Sequence, residues 1–224
     1  MHNAGEESRT KQSSLGVLLY IESEGMEMKK FVVICVLIGL MSAGAADAAV
    51  TLTFDELPTQ PVNGLTYKGV TFGFTIGGNP STDAVYSGIG PGSIAYLQDT
   101  TLEGNAAGVL TLDFVQPTNL LAFGVALNSF YPVTAAYSVK LFDASLSLLG
   151  TFSENTYPVV LWSEDLFSYS GTPIGRAVLA FNGQSASRFA VDNLSINTIP
   201  APGAVLLGSI GVGIVSWLRR RRTL

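Results

Sequence analysis

Cysteine and histidine are almost absent from this 224-residue chain, which has one of each, Cys35 and His2. Neither falls between residues 49 and 200. That stretch can form no disulfide, no Cys/His zinc site, no thiolate nucleophile and no Ser-His-Asp triad. Cations are scarce there as well: Lys68, Lys140, Arg176 and Arg188 face eleven acidic residues, a balance of −7. Nucleic acid is excluded as a partner, because neutralising phosphates takes lysine and arginine in number. Carboxylate chemistry and oxygen-ligated calcium stay open. A long helical period is also missing from residues 49–197, and the long apolar runs lie only near the two ends.

The first of those runs is residues 31–41, Phe-Val-Val-Ile-Cys-Val-Leu-Ile-Gly-Leu-Met, with Lys29 and Lys30 before it and small residues after it. A cationic start, an apolar stretch of about 7–15 residues and a small-x-small site make a secretory signal peptide. Ala46-Asp47-Ala48 places cleavage before Ala49, so residues 28–48 are expected to be removed by signal peptidase after export. Residues 1–27 are polar and of mixed charge. They are expected to be a non-native leader, with the true start at Met26 or Met28; a real long leader is the alternative. The second run is residues 203–218, uncharged and ending in Trp217-Leu218, with Arg219, Arg220, Arg221 and Arg222 directly behind. Sixteen residues at 1.5 Å rise reach roughly 24 Å. That spans a bilayer when tryptophan and arginine anchor at its interface, with the arginines on the cytoplasmic side.

Pro200-Ala201-Pro202, the apolar run and the terminal arginine cluster together resemble the PEP-CTERM sorting signal, in a Pro-Ala-Pro form with Ala201 where the family usually has glutamate. The resemblance covers residues 198–224. It implies a membrane-held substrate of an exosortase-type enzyme, delivered to the cell surface or extracellular matrix. A plain anchor that is never processed is the alternative. The physical parts agree with either: two prolines fix φ and keep the segment extended, and the arginines arrest the helix in the bilayer.

Between the ends, short β-type runs alternate with Gly, Pro, Asn and Asp. Strands are expected at 50–54, 70–76, 109–114, 120–127, 137–142, 149–152, 159–162, 177–181 and 189–196, with weaker candidates at 65–67 and 94–97. Leu110, Leu112 and Phe114 alternate with Val109, Thr111 and Asp113, which gives one buried and one wet face. Asp143-Ala144-Ser145 reads as a hairpin turn. The expected fold is all-β, an antiparallel jelly-roll-like β-sandwich over residues 49–197, large enough to stand without disulfides. Phe54-Asp55-Glu56, Gly69-Val70-Thr71-Phe72 and residues 189–196 resemble the carbohydrate-binding-module type of jelly roll.

That resemblance implies that Asp55, Glu56 and Asp192 meet where first and last strands adjoin, with a structural calcium ion among them; hydrogen bonding of Asp192 and Asn193 to backbone is the alternative. Glu164 and Asp165 stand beside Trp162, but neighbours on one strand point to opposite faces. A glycosidase needs two carboxylates about 5–9.5 Å apart across a cleft, so this pair does not qualify. Tyr131, Tyr157 and Trp162 are candidate ligand-binding rings, the two tyrosines because each precedes a proline in an expected loop. The leading expectation is a non-catalytic protein of the cell surface or extracellular matrix. A surface carbohydrate-binding module contacting extracellular polysaccharide is the alternative, and a carboxylate-dependent hydrolase a weaker one.

Overall fold

A computed structural model describes residues 48–198 together with Gly211 and Gly213. Internal contacts divide the chain into Met1–Gly44 and Ala45–Leu224, and the described residues all belong to the second unit. The leader, the signal peptide and its cleavage site up to Ala46, the Pro200-Ala201-Pro202 motif and Arg219 to Arg222 lie outside them. Of the expected span 203–218 only Gly211 and Gly213 are described, both helical. Among the described residues no helix is long and apolar enough to cross a membrane.

Among the described residues twelve strands form one continuous antiparallel sheet: β1 Ala48–Leu52, β2 Gln60–Pro61, β3 Thr66–Tyr67, β4 Val70–Ile76, β5 Asn79–Pro80, β6 Val85–Gly88, β7 Thr101–Asn105, β8 Gly108–Leu127, β9 Val133–Phe142, β10 Leu148–Val159, β11 Trp162–Phe181 and β12 Arg188–Thr198. The sheet folds over because its two twenty-residue strands, β8 and β11, change partners half-way. Before residue 115, β8 pairs with β4 and with residues 176–180 of β11; after Pro117 it pairs with residues 163–170 of β11 and with β12. Pro117 supplies no N–H to the ladder, and the β8–β11 register slips between Ser170 and Arg176. One half-sheet is thus β3, β4, the start of β8, the end of β11, β9 and β10. The other is β2, β6, β7, β12, the end of β8 and the start of β11, with β1 on the last part of β12.

The two halves face each other across one core. Phe189 of β12 stacks on Phe181 with ring centroids 3.8 Å apart and tilts against Phe74, 5.9 Å away. Phe152 meets Phe167 edge-on at 5.7 Å. Tyr137 of β9 donates across the core to Asp165 of β11, 2.6 Å. The expected alternation holds: Leu110 and Leu112 are buried with Phe72 and Phe74 opposite them. Each large side chain taken out of water contributes about 1.5–3 kcal/mol.

The antiparallel sandwich, the strand at 70–76, the 143–147 hairpin and the pairing of first with last strand all match expectation. Four local readings are corrected. Residues 159–162 are a hairpin with Val160 and Leu161 at its turn, not a strand. Residues 94–97 are loop. Phe54 lies beyond β1, buried in a left-handed backbone conformation at φ 58°. Residues 162–170 and 101–105 are strand although their polar and glycine content hid it.

Candidate functional site

The sandwich has two ends. At one, the 143–147 turn and the bends of β8 and β11 lie beside the places where β1 begins and β12 stops, since Thr198 pairs with both Ala48 and Thr118. A hollow of about 360 Å³ opens there between Asp113, Val115, Pro117, Asp143 and Leu146, with the Arg176–Asp113 ion pair at it. The other end lies one β9 length away. Ten residues at about 3.3 Å each make roughly 30 Å.

That far end is built by register. Leu127 pairs with Ser163, and Val133 pairs with Thr156. The loop of residues 128–132 is therefore bracketed by the two arms of the 156–163 hairpin, and both reach the same tip. The hairpin is closed by a buried hydrogen bond between the Thr156 and Ser163 hydroxyls, 2.7 Å. The loop is fastened through Asn128, whose Oδ1 accepts from the Ser187 and Arg188 amides at 2.9 Å each. Ser129 Oγ donates to the Tyr131 carbonyl, 3.1 Å, which sets the turn. On this fixed frame sit apolar side chains with little cover: Tyr131 is 76% exposed, Tyr157 62%, Phe130 62%, Val160 83% and Leu161 58%. Of the three expected ligand-binding rings, Tyr131 and Tyr157 both stand bare at this end, but only Tyr131 is in a loop: Tyr157 and Pro158 belong to the end of β10, paired with Glu164 and Ser163. Trp162 is half-buried, pairs with Val159 next to the turn, and packs on Leu97, Ala126 and Ala190. Val160 and Leu161 were hidden because an apolar Val-Val-Leu-Trp run reads as a strand; Pro158 just before it was the one turn signal.

The acidic residues are structural. Glu164 is 3% exposed on the outer face of its half-sheet, and its two oxygens accept from the Ala95 and Tyr96 amides at 3.2 and 2.9 Å. Asp192 accepts from the Gln98 amide and its neighbour Asn193, 2.7 Å each, while the Asn193 side-chain amide donates to the Tyr96 carbonyl. Together they pin residues 89–100 onto the sheet. Gly124 makes room, because a Cβ there would stand 2.4 Å from the Tyr96 carbonyl oxygen. Burial pushes the Asp192 carboxyl up to about 6, the two amide hydrogen bonds oppose it, and the charges of Asp55 and Glu56 add to it. Asp165 is taken by Tyr137, Glu103 by Arg188 and the Gly90 amide, and Asp113 by Arg176. Asp113 and Asp143 line the hollow at the opposite end, where Arg176 holds the first and the Ser145 and Ser147 amides hold the second.

Asp55, Glu56 and Asp192 are close enough to feel one another's charge, but their partners do not fit a calcium cage. The Lys68 ammonium sits 2.6 Å from Glu56 Oε1, and Tyr86 donates to Oε2 at 2.5 Å. Burial pushes Glu56 up, yet the Lys68, Tyr86 and Thr53 hydrogen bonds outweigh it and bring it down to about 2. Asp55 accepts from the Thr53 hydroxyl, and both Asp192 oxygens already accept from amides. Among the described residues no three His, Cys, Asp or Glu side chains converge to hold a metal ion.

No protein-family model matches the chain, and no curated protein does. Solved structures do. A family 29 carbohydrate-binding module is 9% identical over 68% of this chain and 89% of its own, with a TM-score of 0.36. A mutant family 29 module complexed with mannohexaose is 10% identical over 68% of this chain and 92% of its own, again at 0.36. Likeness at this level says nothing of ligand or site.

Proposed function

We propose that this chain is an exported, non-catalytic module of the cell envelope that takes polysaccharide on the aromatic loops at the tip of its sandwich. One observation carries the reading. Strand register brings Tyr131, on the 128–132 loop held by Asn128, and Tyr157, on β10 beside the Thr156–Ser163 bond, to one end with both rings largely bare. Flat rings with a hydroxyl edge suit the apolar faces of sugars, and a pre-set frame removes much of the ordering cost of binding. The buried or paired state of Glu164, Asp165, Glu103 and Asp113 favours binding over hydrolysis.

Delivery rests on the sequence. Export through the signal peptide at 28–48, cleavage before Ala49, membrane insertion of 203–218 and handling of Pro200-Ala201-Pro202 by an exosortase-type enzyme complete the proposal. Ala48 and Thr198, where the sandwich begins and ends, stand at the end away from the tip. Mass spectrometry of the native protein is expected to find a mature start at Ala49; a peptide containing residues 1–27 would remove the start-site reading. For binding, the full chain is passed over immobilised polysaccharides. Retention on at least one is expected, weakened about tenfold by Tyr157→Ala, a change equal to about 1.4 kcal/mol, and indifferent to EDTA. No retention on any of them would end the reading.

A further inference from the structure

The turn of the 156–163 hairpin is built against its own stability. A two-residue hairpin connection needs φ > 0 at its first position, and Asn, Asp or Gly normally fill it. Here Val160 takes that position at φ 58°. A β-branched residue in the left-handed region is a true outlier, and such strain persists only where the surroundings impose it. Nothing is gained by burial in return, since Val160 and Leu161 are 83% and 58% exposed. They form the turn of the hairpin that carries Tyr157, which pairs with Glu164 three residues below, and whose arms bracket the loop with Phe130 and Tyr131.

Charge narrows what the tip can meet. Of the four cations in the sandwich, Lys68, Arg176 and Arg188 are held in ion pairs with Glu56, with Asp113, and with Asp83 and Glu103. Lys140 lies seven residues along β9 from Val133, roughly 24 Å from the tip at strand rise. An anionic chain would find no positive charge to steer or hold it. Taking about 150–250 Å² for a whole aromatic side chain, the five exposed side chains offer roughly 600 Å². A stable protein interface buries about 600–1,000 Å² per partner, so the patch stands at the lower edge of that range and is ample for a narrow ligand.

We propose that Val160 and Leu161, with Phe130, belong to the same contact surface as Tyr131 and Tyr157, and that this surface takes an uncharged glycan chain. The proposal rests on the polysaccharide reading above and extends it to a strained hairpin and a ligand class. The test compares the full-length chain with V160N/L161G and Y157A for retention on uncharged mannan and glucan and on anionic alginate, at low and high salt, beside thermal unfolding. The expected result for V160N/L161G is a melting temperature higher by ~3 °C together with retention on the uncharged chains weakened at least tenfold. A turn of purely structural importance would move the two readouts the same way. Wild-type retention on mannan or glucan is expected to be insensitive to salt. If V160N/L161G binds like the wild type while Y157A does not, the hairpin is no contact element and only the broader reading stands. Retention on alginate alone, lost in salt, overturns the ligand class. Concentration-dependent self-association abolished by V160N/L161G makes the tip an interface between copies and overturns it too. Absence of retention on every polysaccharide removes the broader reading, and this one with it.

Discussion

Two connections on the same half-sheet are treated in opposite ways. Residues 89–100 are laid flat on its outer face, with Leu97 fully buried and Glu164, Asp192 and Asn193 tying the backbone down. The tip loops project past the end of the sheet with their apolar side chains in water. The first arrangement spends carboxylates on stability. The second leaves hydrophobic surface uncovered on a rigid frame. Glu164, beside Trp162, is therefore a latch in this protein, while the less conspicuous Tyr-Pro and Val-Leu pairs supply the side chains left in water.

The contrast can be broken most forcefully at Glu164. Glu164→Ala strands two amides beneath the loop, and hydrogen bonds to a charged group contribute about 1.5–3 kcal/mol each. Urea denaturation is expected to show a loss of about 3 kcal/mol, and amide exchange at Ala95 and Tyr96 to speed up. Unchanged exchange would mean that the loop is held by something else. Gly124→Ala attacks the same latch sterically, because the new methyl meets backbone that cannot rotate away. A loss of about 2 kcal/mol is expected, with the tip and its binding untouched.

Asp192→Asn sharpens the comparison through pH. The folded chain keeps the Asp192 proton up to about pH 6, whereas an unburied aspartate releases it near 3.8. Between those values the folded state binds more protons, so this group's contribution to stability falls as pH rises from about 4 to about 6 and is flat above. Glu56 acts the other way, costing stability as pH falls from about 4.5 toward 2. The wild type should thus be most stable near pH 4–5. The variant should lose the decline above it, an effect of the order of 2 kcal/mol, read as denaturation midpoints across pH. A parallel profile in both proteins would sink the assignment. The smallest stability effect belongs to the tip. Tyr157→Ala should change unfolding by less than about 0.5 kcal/mol while weakening glycan retention, which separates contact from scaffold.

Much of the scaffold was legible. The period of two at Leu110, Leu112 and Phe114, the Asp143 turn and the β-rich run at 70–76 each sit in the structure where local chemistry places them. What escaped is just as local. Glu164 and Asp165 read as an acidic pair on a strand without any sign of burial, because nothing nearby in sequence announces that the amides of Ala95 and Tyr96 will cover Glu164. Val159-Val160-Leu161-Trp162 reads as a strand, because apolar, β-branched residues normally earn their place by burial. The exposure of the candidate site was half legible: Tyr131 and Tyr157, singled out by the prolines beside them, are bare, Trp162 packs on Leu97, Ala126 and Ala190, and the exposure of Val160 and Leu161 was not foreseen.

Composition alone decided what this domain cannot do, since chemistry that needs thiols, imidazoles or clustered cations has no atoms to use between residues 49 and 200. Alternation alone decided that its strands would have a dry and a wet face. Only the tertiary structure decided which carboxylates would be buried and which rings left bare. That choice depends on pairings such as Leu127 with Ser163 and Val133 with Thr156. Burial is a property of what covers a residue, and the cover comes from strands and loops distant in the chain.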